Sequence, residues 1–186
     1  MNDKRPQVIV LDRDGVINRD SPEFVKTIDE WVPLPGSLEA IATLSRAGFL
    51  VTVATNQSGV GRGLLTAEIL EAIHKKMTDS IRAAGGRLDG IFVCPHRPDD
   101  GCNCRKPNPG MLHQIASRFC CDPAGLHVIG DSIRDLEAAQ AVGAEPILVR
   151  TGNGRKSEKL LPDDSGVRVF DTLADVARAL IEDLPL

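Results

Sequence analysis

The 186-residue chain has no tyrosine, one tryptophan and five phenylalanines, so aliphatic side chains must build its interior. It lacks any apolar stretch near the ~20 residues needed to cross a bilayer. Its first apolar run, QVIVLD (7–12), ends at Asp12 and is far too short for a signal-peptide core. A cytoplasmic protein with no membrane partner is therefore expected, and five cysteines in that reducing compartment are not expected to form structural disulfides. No basic stripe accompanies the formal net charge of −4, which argues against nucleic acid because phosphate backbones select basic faces. A small anionic substrate stays compatible if cations gather locally. There is no internal repeat, low-complexity tract or composition break, and the length suits a single domain over 1–186. No exposed apolar helix stripe is evident, so a monomer is expected.

What the chain does contain is an alternation of short β-branched runs with longer amphipathic stretches. QVIVLD (7–12), FLVTVAT (49–55), GIFVC (90–94), LHVIGD (126–131), EPILVR (145–150) and VRVF (167–170) read as strands. Between them, one helix starts at a Ser37 cap and stops at Gly48, and another starts at a Thr66 cap and stops at Gly85. PGMLHQIASRF and TLADVARALIEDL complete the helical set, while the polar stretch 150–166 reads as a segment with room to move. The pattern predicts an α/β class: a doubly wound, mainly parallel, Rossmann-like sheet with helices on both faces. Asp12, Thr55 and Asp131 fall at or just past the carboxyl ends of strands, the edge where open α/β sheets bind ligands.

In VLDRDG, Asp12 and Asp14 lie two apart where a buried strand becomes a glycine turn. Alternate residues of a strand share a face, so both carboxylates can enter one crevice; a plain Asx turn with solvated acids fits the same letters. VIGDSIRD repeats the arrangement, with Asp131 after a strand and Asp135 one helical turn later. Three carboxylates at two strand ends suit a hard, oxygen-preferring cation such as Mg²⁺, which leans on one or two carboxylates and a substrate phosphate. ATNQSG (54–59) offers a hydroxyl and backbone amides to phosphoryl oxygens, and Arg105-Lys106 offers charge.

CPHRPDDGCNCRKP (94–107) places Cys94, His96, Cys102 and Cys104 within eleven residues. Three thiolates and one imidazole are enough for a closed, tetrahedral, structural zinc site with no position left for substrate. A redox pair is the alternative, but neither CxH nor CxC has CxxC spacing. The loop runs directly into Arg105 and Lys106, so a zinc clamp would hold those cations over a phosphate. Cys120 and Cys121 read as helix-end or core residues, and His74, His113 and His127 have no ligand partner nearby in sequence.

Together these segments resemble the haloacid dehalogenase-like phosphatases: DxD after the first strand, Ser/Thr after the second, Lys before a helix, and an acidic pair after the fourth strand. The four occur in order as Asp12/Asp14, Thr55, Lys106 and Asp131/Asp135. The resemblance implies that Asp12 attacks phosphorus to form an aspartyl-phosphate, and that Asp14 serves as acid and then base. It implies Mg²⁺ on Asp12, Asp131 and the Asp14 carbonyl, with Thr55 and Lys106 on the phosphoryl oxygens. Asp135 would support the site from behind, or be a helix-surface acid.

The zinc loop is similar to that of two branches, the D-glycero-D-manno-heptose 1,7-bisphosphate 7-phosphatases and the histidinol-phosphate phosphatase domain. LDRDGVIN, TNQSGVGRG, CNCRKPNPGML and LVRTG favour the heptose branch, although its loop between His96 and Cys102 is often longer than here. That branch acts on a sugar bisphosphate in the supply of ADP- or GDP-heptose precursors for lipopolysaccharide or other surface glycans. Both branches are capless, which leaves specificity to loops. The implied substrate contacts are Arg13, the DSPE segment (Asp20, Ser21, Pro22, Glu23), Asn56, Gln57, Ser58, Arg105 and Ser132. A zinc-stabilised binding module without enzymatic activity is the reading from a different class.

Overall fold

The β-branched runs form one six-stranded sheet in the order β3-β2-β1-β4-β5-β6, in a computed structural model that describes residues 7–184. The strands are β1 (Val8–Leu11), β2 (Leu50–Asn56), β3 (Gly90–Cys94), β4 (Leu126–Gly130), β5 (Glu145–Val149) and β6 (Arg168–Phe170). Every neighbouring pair is parallel. The helices are α1 (Ser37–Arg46), α2 (Ser58–Gly61), α3 (Ala67–Ala83), α4 (Gly110–Arg118), α5 (Ile133–Gln140), α6 (Gly154–Glu158) and α7 (Leu173–Glu182).

Residue alternation on β1 divides the core between the two faces of the sheet. Ile9 and Leu11 join Ile41 and Leu44 of α1, Ile73 and Met77 of α3 and Val176 and Leu180 of α7. Val8 and Val10 join Met111 and Ile115 of α4 and Ala138 and Ala139 of α5. A central parallel strand must be apolar on both sides, which is why VIVL is continuous rather than alternating. Each helix of eight residues or more covers a sheet face, so among the described residues no lid domain stands over the strand ends, as the capless reading expects. None of these helices is long and apolar enough to span a membrane.

The chain reverses its direction of travel across the sheet between β1 and β4, so the carboxyl ends of these strands flank a crevice. The backbone N–H of Asp12 donates to Ile129 O at 2.9 Å and closes the base of this crevice.

Two local expectations are corrected. Gly36, at φ 76°, occupies the cap position of α1, and Ser37 is its first residue, with Oγ donating to Ile17 O and Leu34 O instead of capping. Thr66 does cap α3, its hydroxyl accepting from Ile69 N at 3.3 Å. The stretch 150–166 is not loose at its start: it contains α6, Arg150 grips Glu158, and Ser157 Oγ donates to Asp131 O at 2.8 Å. Thr151, Asn153 and Ser157 are committed to partners distant in sequence, which a local reading of polarity misses.

Candidate active site

A crevice of about 350 Å³ opens at the carboxyl ends of β1, β2 and β4. Asp12 stands at its base, just past β1. Its Oδ1 accepts from Arg13 N at 2.7 Å and lies 3.0 Å from Lys106 Nζ. Lys106 is 4% exposed; its ammonium also meets Asp135 Oδ1 at 2.5 Å and donates to Ala54 O at 2.8 Å. Burial alone would favour the neutral amine, but the Asp12 and Asp135 carboxylates outweigh it and raise the Lys106 pKa, so it stays charged. Burial pushes Asp12 well above the usual carboxylate range; Lys106 opposes the shift, and Asp135, Asp131 and Asp14 add to it.

Asp131 follows β4. Burial is the main cause raising its pKa to about 6, the Asn153 backbone N–H pulls the other way, and Asp135 adds repulsion. Asp12, Asp131 and Asp135 each place one carboxylate oxygen within 4.8 Å of the others. Asp135 is already engaged: Oδ1 meets Lys106, and Oδ2 accepts from Ser132 N at 3.0 Å and Ser132 Oγ at 2.7 Å, which caps α5. At 1% exposure it is not a helix-surface acid, so that alternative fails. Asp12 and Asp131 remain as two repelling, desolvated carboxylates facing one space. A hard divalent cation relieves this arrangement, and the oxygen-only donor set fits Mg²⁺.

Asp14 enters the same crevice, as the i, i+2 alternation requires, but its carboxylate is held from behind. Oδ1 accepts from Asn18 Nδ2 at 2.8 Å and Arg13 Nη2 at 3.0 Å; Oδ2 accepts from Gln57 Nε2 at 2.8 Å and Arg13 Nη2 at 2.9 Å. Arg13 has no exposed surface and does not line the crevice, which corrects its assignment as a substrate contact. The alternation that points Asp12 and Asp14 one way points the intervening residue into the interior. There its Nη1 lies 3.3 Å from His74 Nε2. Burial, and secondarily the Arg13 charge, lower the His74 pKa to about 4.

At the end of β2, Thr55 is buried beneath the crevice, and its hydroxyl accepts from Gln57 Nε2 at 2.8 Å. Gln57 therefore bridges Thr55 and Asp14. Asn56 fixes the Lys106 backbone through two bonds of 3.1 Å, one donated and one accepted. Ser58, Arg105 and Ser132 line the crevice. Of DSPE, Asp20 and Ser21 line it, but Pro22 and Glu23 do not; the turn projects them into solvent. Phe24, Val25, Arg62, Pro98, Arg134 and Asn153 also line it and were not anticipated. Asn153 had a readable signal, since it follows the end of β5 on the same sheet edge as the other site residues.

Cys94, His96, Cys102 and Cys104 converge beside β3. Cys94 Sγ lies 3.6 Å from His96 Nδ1 and 3.7 Å from Cys102 Sγ, and His96 Nδ1 lies 3.3 Å from Cys104 Sγ. Ligand atoms around a tetrahedral zinc sit about 3.5–3.8 Å apart, so the four side chains fit that ion closely. Arg105 Nη1 donates to His96 O at 3.3 Å, which ties the end of the clamp to the crevice. Cys120 is exposed just past α4. His127 pairs with Glu145 at the opposite end of the sheet.

The arrangement combines a carboxylate at the base of the crevice, a second acid held in place, a buried cation and a cluster of carboxylates that could hold a divalent ion. Comparison with known proteins agrees with that chemistry. Residues 7–132 match the family model for polynucleotide kinase 3 phosphatase, and residues 103–176 match the HAD-hydrolase-like model. The chain is 53% identical over 176 residues to D-glycero-beta-D-manno-heptose-1,7-bisphosphate 7-phosphatase of Pseudomonas aeruginosa, covering 94% of this chain and 98% of that one. It is 54% identical over 179 residues to the Bordetella bronchiseptica protein of the same name, covering 95% and 99%. The crystal structure of the D,D-heptose 1,7-bisphosphate phosphatase from B. bronchiseptica, complexed with magnesium and phosphate, superimposes with a TM-score of 0.92 at 53% identity, covering 96% and 99%. A crevice built around paired acids and a buried lysine, together with matches of this extent, means that the chain belongs to the haloacid dehalogenase-like hydrolases, in the family of the heptose 1,7-bisphosphate 7-phosphatases.

Proposed function

We propose that the chain removes the 7-phosphate of D-glycero-D-manno-heptose 1,7-bisphosphate, acting as one cytoplasmic, monomeric unit over 1–186 in the supply of activated heptose. The observation that carries this reading is the Asp12–Lys106–Asp135 ion triad set beside Asp131 and Asp14 at the switch point of the sheet. The names of the relatives support the substrate and favour its β anomer.

In the first step a carboxylate oxygen of Asp12 bonds to phosphorus as the bond from phosphorus to the C7 oxygen breaks, and Asp14 gives a proton to the departing alkoxide. Water then attacks the acyl phosphate, Asp14 takes its proton, and inorganic phosphate leaves with Asp12 restored. Bound between Asp12, Asp131 and the Asp14 carbonyl, Mg²⁺ supplies the positive charge that lets a carboxylate approach a phosphate dianion. Lys106 adds a fixed charge on the equatorial oxygens. Asn56 holds its backbone, and the zinc ligands hold the loop that delivers it. The Thr55 hydroxyl would hold a phosphoryl oxygen, and through its bond to Gln57 it orients that amide against Asp14. Arg105, which lines the crevice, would hold the second phosphate through a bidentate guanidinium fork.

Side-by-side turnover of both heptose 1,7-bisphosphate anomers and histidinol phosphate tests the assignment. A higher kcat/KM for histidinol phosphate overturns it. Asp12→Asn is expected to be folded and inactive; an active Asp12→Asn protein removes the covalent route and returns weight to a non-enzymatic role.

A further inference from the structure

Asn153 occupies the first position before α6, where an asparagine side chain normally accepts from the helix's own N–H groups. Here it makes no such cap. Its amide nitrogen instead donates to Asp20 Oδ2 at 3.0 Å and to Asp131 Oδ2 at 3.3 Å, and its backbone N–H donates to the same Asp131 oxygen at 2.7 Å. Both amide hydrogens are thus spent on carboxylates from other parts of the chain, 133 and 22 residues away. We propose that Asn153 is a positioning residue for the cation site: it fixes the carboxylate of Asp131 and ties the loop bearing Asp20 and Ser21 to it.

The surroundings of Asp131 support this assignment. Its described hydrogen bonds all fall on Oδ2, so Oδ1 is the oxygen left for the crevice. A Cβ on Gly15 would lie 2.1 Å from that Oδ2, and one on Gly152 would lie 2.2 Å from it, so the oxygen is enclosed on two sides by glycines. Thr151 Oγ1 donates to Gly15 O at 2.6 Å and holds the loop after β5 against the turn that carries Asp12 and Asp14. A neutral donor suits the position. An ammonium or guanidinium would also orient Asp131, but it would compete with a divalent ion for the same negative charge, whereas an amide orients without neutralising. The other amide hydrogen fixes the position of Asp20, which adds to the repulsion on Asp131.

The inference rests on the reading of Asp12 and Asp131 as cation ligands, so its test measures binding directly. Isothermal titration of the zinc-loaded protein with Mg²⁺ compares the parent, Asn153→Ala and Asp131→Asn; thermal melts and steady-state kinetics follow on the same samples. Asn153→Ala is expected to bind Mg²⁺ about tenfold more weakly, the scale of lost hydrogen bonds behind a metal ligand. The Mg²⁺ concentration for half-maximal activity should rise by the same factor, kcat at saturating Mg²⁺ should stay within a few-fold, and the melting temperature should be little changed. Parental Mg²⁺ affinity in Asn153→Ala, with binding lost in Asp131→Asn, overturns the inference and leaves the function intact. Parental affinity together with a raised substrate KM makes Asn153 a substrate contact and overturns it too. Parental affinity in Asp131→Asn removes the cation reading and the inference with it.

Discussion

Arg13 carries a full charge with no exposed surface and directs it to Asp14. Its loss would leave the Asp14 carboxylate supported by Asn18 and Gln57 alone. Breaking a buried pair on one side typically costs about 3–5 kcal/mol, and Asp14 is partly solvated, so Arg13→Met is expected near the low end of that range. Urea unfolding measures the loss; kinetics should show kcat falling more than KM, since the residue sits behind the crevice. His74, next to Arg13, gives a separate pH prediction. Its folded pKa of about 4 lies below the unfolded value of about 6.5, so neutral His74 stabilises the fold above pH 6.5, and that contribution is lost as pH falls towards 4. The loss amounts to roughly 3 kcal/mol at most. Comparing unfolding of the parent and His74→Gln at pH 7 and pH 4.5 checks it: the glutamine keeps an acceptor for Arg13 and should flatten the dependence. At this scale the sequence was legible where alternation decides direction. Asp12 and Asp14 enter the crevice because they are two apart, and by the same rule Arg13 does not, although family resemblance suggested otherwise. Asp135 was ambiguous because its meaning lies in contact with Lys106, which no local pattern encodes.

The segment from Cys94 to Lys106 is anchored at several points along its length. Gln57 N donates to Cys94 O at 2.7 Å, Gly61 N to Pro95 O at 3.0 Å and Asn108 Nδ2 to Cys102 O at 2.8 Å. A zinc ion on Cys94, His96, Cys102 and Cys104 would supply the remaining constraint. Cys102→Ser should bind zinc more weakly in a chelator competition, with a lower melting temperature and a reduced kcat through displacement of Lys106 rather than loss of any reacting group. Unchanged zinc affinity would contradict the ligand set. On α3, Thr66→Ala removes the cap to Ile69 N and should cost about 1 kcal/mol in denaturant unfolding, with no effect on turnover. The strands and the longer helices were readable because each presents several repeats of a 2- or 3.6-residue period. The four residues of α2 and five of α6 make barely more than one turn each, too few to show a period. Phe24 escaped notice for a different reason: it lines the crevice at φ 67°, a backbone conformation that a large apolar residue seldom signals.

Across the whole molecule, both cores lie within the sheet–helix layers, while the acidic site sits at the strand ends outside them. Dialysis into Mg²⁺-free buffer with zinc retained should therefore abolish turnover while the melting curve keeps its cooperativity; loss of both together would show the acids to be part of the fold's support. The strand order has a further consequence. The passage from β3 towards β4 is where the chain leaves one half of the sheet for the other, and from the last residue of β3 onward it carries all four candidate zinc ligands, two on each side of the exposed turn Pro98–Asp100. A protease cut in that turn would produce two fragments, one ending just beyond Cys94 and His96, the other beginning just before Cys102 and Cys104. A shared ion would then do the work of the severed peptide bond, keeping the nicked protein competent until a chelator is added.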